Sequence, residues 1–278
     1  TDEFDQHVLA HKFQHYLEDA VSRTDTVGGD HSLSENLDMR VAFSEGFSNA
    51  FSAMVLSGLV DDPEIYRDSL GSAQGSEGWF DMETEEWGTP GWYNEASVHR
   101  IAWDLFDTVS DGADGDAVSV GFGPMLDVMR TQLRNDSPLT SLFSFVTALK
   151  LHPAVVPVAA NVTSRVQAEG GIVAATKDAY ATTETNAGAV DETIVLPVYS
   201  AVTLNGPAVR RCADLTEGTY NKLGNRRFVR FNVPSARTIR VKVECPSSDS
   251  GCTGAPTPDP ELEQMANTAI DLIAAAQM

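Results

Sequence analysis

The chain has 278 residues, of which 42% are hydrophobic and 21% charged, so it can bury a large core in one or two domains. Its 40 acidic and 19 basic residues give a formal net charge of -21, which would repel nucleic-acid phosphates and anionic lipid surfaces. No apolar stretch approaches the roughly 18 to 20 residues of a membrane span. We therefore expect a soluble globular protein with no nucleic-acid partner and no membrane span, and the composition leaves its oligomeric state open.

Apolar periodicity predicts that the first half of the chain is mainly helical. The first two helices are separated by the Gly-containing stretch TDTVGGDHSLSEN, which interrupts the helical pattern. A further helix is entered through Pro138, a residue that suits the first turn of a helix. The predicted helices cover residues 4–21, 37–56, 90–109, 122–135 and 138–151.

After about residue 189 the pattern changes to short β-branched runs, TIVLPVYSAVTL, RRFVRFNV and RTIRVKVEC, separated by turn signals. These runs predict a small antiparallel β-module, followed by a Pro-rich linker and a short C-terminal helix. We therefore predict the α+β class, with a helical domain in residues 1–190, a small antiparallel β-module in 191–254, and the linker and C-terminal helix in 255–278.

The three cysteines all lie late in the chain. Cys245 and Cys252 bracket the turn-rich PSSDSG, a spacing that could close a disulfide loop and would indicate an oxidising compartment. Cys212 is then left over, or it takes one of these two partners. Three free thiols are the alternative, because spacing alone does not fix the pairing.

The segment HVLAHKFQHYLED places His11 and His15 four residues apart, so both imidazoles lie on one face of the first helix and can bind one metal ion. A catalytic zinc site needs three protein ligands, and no cysteine precedes Cys212. Glu45, in AFSEGFSNAF on the second helix, is the best third ligand if the two helices pack antiparallel, and Asn49 shares its face. The sequence therefore predicts a Zn²⁺ site at His11, His15 and Glu45.

The segments HKFQHYLED, DMRVAFSEGFSNAFSAM and GWYNEASVHRIAWDLFD resemble the bacterial exported zinc metallopeptidases that carry HExxH on one helix and a downstream glutamate ligand, a gluzincin-like arrangement. The likeness covers roughly the first 150 residues. It implies a zincin-like domain, zinc at the three residues above, cleavage of a peptide or protein substrate, and an exported location, whether periplasmic, cell-surface or secreted. From Thr193 the chain is similar to the β-sandwich appendages that follow secreted peptidase domains.

Lys12 stands where this motif has its glutamate. The glutamate accepts a proton from the attacking water, and a lysine with an ordinary pKa of about 10.4 is protonated at neutral pH and cannot do so. Loss of a general base typically removes about 10² to 10⁴ of the rate, so we expect impaired hydrolysis. Three alternatives are that Lys12 acts as a neutral base, that Glu95 replaces the missing glutamate, or that Lys12 points to solvent.

The segment GWYNEASVH supplies candidates for the surroundings of the metal. Glu95 and His99 lie one helical turn apart and could orient a ligand or bind the oxyanion, and Tyr93 offers a phenol of the type that peptidases use for the oxyanion. The alternative is that Tyr93 belongs to the core and Glu95 caps a helix or faces solvent. His7 is interpreted as a neighbour of the site. We interpret His31 and His152 as surface residues.

Three functions are compatible with these patterns. The first is a zinc metallopeptidase-like protein with impaired activity, and the second is an inactive zinc-binding pseudopeptidase that binds peptides or a partner protein. The third is an envelope or secreted structural module in which the paired histidines only satisfy hydrogen bonds in the core.

Overall fold

The computed structural model describes residues 4–68, 78–84, 86–107, 118–170, 172, 178–188, 190–213 and 215–235. The helices are α1 (Gln6–Val21), α2 (Met39–Leu56), α3 (Glu95–Phe106), α4 (Phe122–Val128), α5 (Leu142–Leu151), α6 (Ala159–Gly170) and α7 (Glu192–Val195). A π-helical turn, Met129–Leu133, extends α4, and a 3-10 turn, Val156–Val158, precedes α6. The strands are β1 (Ile65–Asp68), β2 (Gly78–Asp81), β3 (Tyr199–Ala201) and β4 (Phe228–Arg230).

Helix α2 lies at the centre of the helical core. Every residue of α2 is buried except Arg40 and Val55, and the helix packs against both α1 and α3. Gly46 permits the close approach of α3, because a Cβ atom at this position would lie 2.6 Å from the carbonyl oxygen of Glu95 and 2.6 Å from Val98 Cβ. Side chains from α1 and from the start of α3 therefore come within reach of the same face of α2.

The core beside α2 is built largely from aromatic rings. Phe43 and Phe47 pack on each other with ring centroids 5.7 Å apart, and Phe145 of α5 contacts both at 5.5 and 5.4 Å. Burial of large aromatic side chains is a major source of stability, so this cluster fixes α5 against the central helix.

Ion pairs join α6 to α3. Arg165 Nε donates to Asp104 Oδ2 at 2.6 Å, and Arg100 lies 2.8 Å from Glu169. All four side chains are at least nine-tenths buried, so their charges depend on these partners. The helix α6 was not predicted from the sequence.

Strands β1 and β2 form an antiparallel pair with Ile65 opposite Asp81, which the sequence patterns did not indicate. The ring of Tyr66 stacks on Phe80 at 4.7 Å, and Phe80 stacks on His99 of α3 at 5.2 Å. Tyr66 also contacts His7 of α1 at 5.2 Å. This pair of strands is therefore held against the N-terminal half of α1.

The prediction of antiparallel pairing is wrong for β3 and β4, which pair in parallel. The chain between them does not turn back as a hairpin but crosses the helical part, where Leu223 N donates to Asn36 O and Asp38 N donates to Asn221 O. Leu223 and Tyr199 belong to the same buried core as α2. Asn221, Leu223 and Tyr199 thus contact the helical part across the boundary predicted at residue 190.

The start of the predicted β-module is also helical. Asp191 accepts a hydrogen bond from Thr193 N and caps α7, so the first three residues of TIVLPVYSAVTL belong to a short helix rather than a strand. The third predicted strand, RTIRVKVEC, lies outside the described residues, as do the linker and the C-terminal helix. The α+β class is confirmed, whereas the zincin-like domain stays a prediction.

Cys212 is disulfide-bonded, so the alternative of three free thiols is wrong. This agrees with the alternative in which Cys212 takes one of the other two cysteines as its partner. Cys245, Cys252 and the loop predicted between them lie outside the described residues.

Within the described ranges, no single helix is both long and apolar enough to cross a membrane. One bent pair, Leu142–Leu151 with Val156–Gly170, meets that test jointly with a bend of 111°.

Candidate metal centre

Three predicted ligands meet between α1 and α2. His11 Nε2 and His15 Nε2 are 3.0 Å apart, and they lie 3.2 and 3.1 Å from Glu45 Oε2. His11 and Glu45 are buried, while the side chain of His15 is 25% exposed to solvent. The predicted convergence of two imidazoles and one carboxylate is therefore present, and these three residues form a group that could hold a metal ion.

The hydrogen bond between His11 and Asn49 determines which ring nitrogen of His11 carries a proton. Asn49 Nδ2 donates to Glu95 Oε1 at 2.8 Å, so the amide oxygen of Asn49 is the atom that faces His11 Nδ1, also at 2.8 Å. An amide oxygen can only accept, and His11 must therefore carry its proton on Nδ1. In the neutral ring, the lone pair of His11 Nε2 then points towards Glu45 Oε2.

These contacts fit a bound divalent cation. A lone pair and a carboxylate oxygen at about 3 Å repel each other unless a cation lies between them. Tetrahedral zinc, with ligands at about 2.0 to 2.2 Å, separates neighbouring ligand atoms by about 3.3 to 3.5 Å, which is close to the three separations above. The donor set of two imidazoles and one carboxylate suits zinc but also other divalent metals, so it does not fix which metal binds.

The charge of Glu45 also favours metal binding. Burial alone would raise the pKa of this carboxyl group. In the absence of a metal ion, the rings of His11 and His15, when they donate to it, and the charge of His31 outweigh burial and hold the pKa well below its ordinary value. Glu45 is therefore present as the carboxylate, the form that binds a metal ion.

His31 is not a surface residue, contrary to our interpretation of the sequence. Its Nδ1 lies 2.8 Å from Glu95 Oε2 and its Nε2 lies 3.4 Å from Glu45 Oε2. Burial disfavours the charged imidazolium, but the hydrogen bond and charge of Glu95 outweigh burial, so the pKa of His31 is raised above 6.5. His31 thus adjoins the metal group, although it does not belong to the three residues whose ligand atoms all lie within 4.8 Å of one another.

The loop that carries His31 is fixed by distant parts of the chain. Asn94, which caps α3 through Ser97 N, donates from its amide to Leu33 O at 2.8 Å. Asn221 donates to the carbonyl oxygens of Gly28 and Asp30 on the other side of His31. The segment from residue 28 to residue 33 is therefore held by both α3 and the C-terminal part.

Lys12 is exposed, and its charge opposes protonation of His31, so the ammonium group lies near the outer edge of the site. This agrees with the alternative in which Lys12 points to solvent. Glu95, the proposed replacement for the missing glutamate, is 4% exposed, and each of its oxygens already accepts a hydrogen bond. Its position suits a group that orients His11 and His31.

Tyr93 and His99 lie away from the three ligands. The hydroxyl of Tyr93 contacts Pro90 O at 3.1 Å and Asn186 Oδ1 at 3.0 Å, and burial raises its pKa to about 12. His99 is fully buried and stacks on Phe80, and among the described residues neither of its ring nitrogens has a hydrogen-bond partner. Neither residue makes a described contact with the metal group, and their catalytic roles stay predictions.

His7 lies beside the site, as expected. Its Nδ1 is 3.0 Å from Ser52 Oγ, and it is not one of the three residues of the metal group.

Two residues near the ligands were missed in the sequence, His31 and Glu18. His31 could have been found as a histidine in the Gly-rich loop that joins the two ligand helices. Glu18 could have been found because it shares the helical face of His11, seven residues earlier. Its carboxylate accepts a hydrogen bond from Ser44, the residue before Glu45.

No family model, no curated protein and no solved structure matches this chain.

Proposed function

We propose that this chain is a zinc metallopeptidase-like protein whose hydrolysis of peptide bonds is impaired. The observation that carries the proposal is the meeting of His11 Nε2, His15 Nε2 and Glu45 Oε2 at separations of 3.0 to 3.2 Å. Two histidines and one carboxylate are a typical catalytic zinc set, which leaves one position for water or substrate.

When bound, zinc would polarise the scissile carbonyl group and make the attacking water more acidic. The residues of the chain would hold and orient the site. His11 is fixed through Asn49, and Glu95 supports both Asn49 and His31. Lys12 occupies the position of the proton acceptor in the motif and offers no carboxylate, so proton transfer is the impaired step.

The second candidate function is an inactive zinc-binding pseudopeptidase that binds a peptide or a partner protein. It is favoured by the state of Glu95, whose two oxygens are both occupied by hydrogen bonds within the protein. A carboxylate that orients other residues is poorly placed to accept the proton of an attacking water.

We also propose an exported location. The disulfide of Cys212 supports it, because disulfides persist mainly in oxidising compartments. The proposed substrate or ligand is a peptide or protein.

Metal analysis of the purified full-length chain tests the proposal. We expect about one zinc ion per chain, lost in His11→Ala and kept in the matched control His152→Ala, whose ring lies at the end of α5. Peptide cleavage, followed by mass spectrometry, should be weak in the wild-type chain. A chain that binds no metal, or a His11→Ala variant that binds as much as the wild type, would exclude the zinc site.

A further inference from the structure

A further carboxylate, that of Glu18 on α1, lies close to the metal ligands and makes no described contact with them. Glu18 is 2% exposed and lies three residues after His15. Its Oε2 accepts a hydrogen bond from Ser44 Oγ at 2.7 Å, and Ser44 precedes the ligand Glu45 on α2. A buried carboxylate is unfavourable without partners, so this contact explains how Glu18 is tolerated here.

The hydroxyl protons around His15 are committed to other acceptors. His15 Nδ1 lies 3.3 Å from Ser44 Oγ and 3.5 Å from Ser48 Oγ. The proton of Ser44 goes to Glu18, and the proton of Ser48 goes to the carbonyl oxygen of Ser44 at 2.7 Å. Each serine oxygen can therefore only accept a hydrogen bond from His15.

We propose that Glu18 is a positioning residue that acts on His15 through Ser44. By taking the proton of the Ser44 hydroxyl, Glu18 makes Ser44 an acceptor, so His15 carries its proton on Nδ1 and presents the lone pair of Nε2 to the metal. The metal-ligating role of His15 rests on the proposed function above, whereas the effect of Glu18 and Ser44 on the Nδ1 side of the ring does not. A ligand histidine is commonly oriented in this way by a group on its other ring nitrogen.

Three substitutions at two neighbouring positions of α1 test the role of Glu18. Glu18→Met removes the acceptor while keeping a similar volume, so the Ser44 hydroxyl is free to donate and the other tautomer of His15 becomes accessible. Glu18→Gln keeps an acceptor oxygen and should behave like the wild type. Asp19→Met is the matched control, because Asp19 is exposed at the next position of α1.

The first measurement is the tautomer of His15 in the metal-free full-length chain that also carries Glu45→Ala, because without a metal ion the carboxylate of Glu45, 3.1 Å from His15 Nε2, would compete for the proton. Long-range proton–nitrogen NMR spectra at about pH 8.5 would be recorded above the pKa of about 7 that burial gives Glu18. In this background we expect the Nδ1–H form with the native Glu18, with Glu18→Gln and with Asp19→Met, and a marked population of the Nε2–H form with Glu18→Met. A folded Glu18→Met chain with the wild-type tautomer overturns the proposal.

The second measurement is zinc affinity by competition with a chelator. Glu18→Met and Ser44→Ala should each weaken binding about tenfold, the usual effect of removing a group that orients a ligand. Glu18→Met should add no further loss in the Ser44→Ala background, and an equal loss in both backgrounds contradicts action through Ser44. Ser44→Ala also keeps the inference testable if Glu18→Met does not fold. If the wild-type chain binds no zinc but Glu18→Met changes the tautomer in the Glu45→Ala background, the proposed function is refuted and the role of Glu18 is supported.

Discussion

Glu95 binds His31 through a hydrogen bond of 2.8 Å between Oε2 and Nδ1, although 64 positions separate the two residues. The other oxygen of Glu95 accepts from Asn49, which in turn holds His11. One buried carboxylate at the start of α3 therefore orients a metal ligand on α1 and a histidine in the loop before α2.

Replacement of Glu95 by glutamine should weaken metal binding by about 10- to 100-fold. Glu95 accepts on both oxygens, whereas an amide has one acceptor oxygen and one donor nitrogen, so Glu95→Gln cannot accept both from Asn49 and from a His31 ring that carries its proton on Nδ1. Zinc affinity measured by competition with a chelator tests this. Glu86→Gln, which changes a carboxylate on a more exposed side chain, is the control. Equal affinity in Glu95→Gln and the wild type would mean that Glu95 does not orient the site.

The reversion Lys12→Glu should increase peptide hydrolysis by about 10² to 10⁴, because it supplies the proton acceptor that the motif requires. Initial rates with a mixture of unstructured peptides measure this effect. Lys12→Gln removes the positive charge without adding a base, so it should gain little and separates the two effects. If the wild-type chain already cleaves as fast as Lys12→Glu, the account of impaired hydrolysis is wrong.

Much of the helical part was predictable because its signals are local. The apolar period fixed α1 and α2 to within about two residues, and the spacing of His11 and His15 determined that their rings share one face. Glu45 was predictable for a related reason, since a carboxylate on an apolar helix needs a partner. Packing of α2 against α1 then completed the group.

The features that the sequence did not reveal depend on contacts between distant segments. The position of His31 follows from hydrogen bonds made by Asn94 and Asn221 to its loop, and no local pattern encodes them. The parallel pairing of β3 with β4 likewise follows from the path of residues 202–227 across the helical part. Both results arise from tertiary contacts that override short-range preferences.

Gly46→Ala should lower the free energy of unfolding by about 1 to 3 kcal/mol, the usual effect of adding atoms to a packed core. The added Cβ would lie 2.6 Å from backbone and side-chain atoms of α3, and backbone atoms cannot move aside easily. The matched control is Gly123→Ala in α4, where no atom lies within 4 Å of the added group. That change should leave the stability within about 0.5 kcal/mol of the wild type, because Gly123 is exposed in the first turn of α4 and precedes Pro124, so alanine gains little there.

Urea denaturation of both glycine variants measures these effects. Because α3 carries Glu95, the displacement of α3 by the added Cβ in Gly46→Ala should also weaken zinc binding. Gly123→Ala should leave zinc binding unchanged. A Gly46→Ala chain as stable as the wild type would contradict the close packing of α2 and α3.

His99 should make the protein sensitive to acid, although it lies away from the metal ligands. Burial, with a smaller contribution from Arg100, lowers its pKa from 6.5 to about 3. Between these two values the unfolded chain binds a proton that the folded chain does not, so stability falls as the pH decreases from about 6.5 towards 3. At pH 5 the loss from this residue is about 2 kcal/mol, since one pKa unit corresponds to about 1.4 kcal/mol.

His99→Phe removes this linkage while keeping a ring that can stack on Phe80. Urea denaturation at about pH 5 and pH 8 should therefore show a smaller loss of stability in the variant, by about 2 kcal/mol. Comparing the two pH values within each protein cancels any change in packing caused by the larger ring. Zinc affinity at neutral pH should stay unchanged, because the His99 ring makes no described contact with His11, His15 or Glu45. If the pH dependence of stability is the same in both proteins, His99 is not a neutral histidine in the folded core. A large loss of zinc affinity in His99→Phe would mean that His99 contributes to the metal centre.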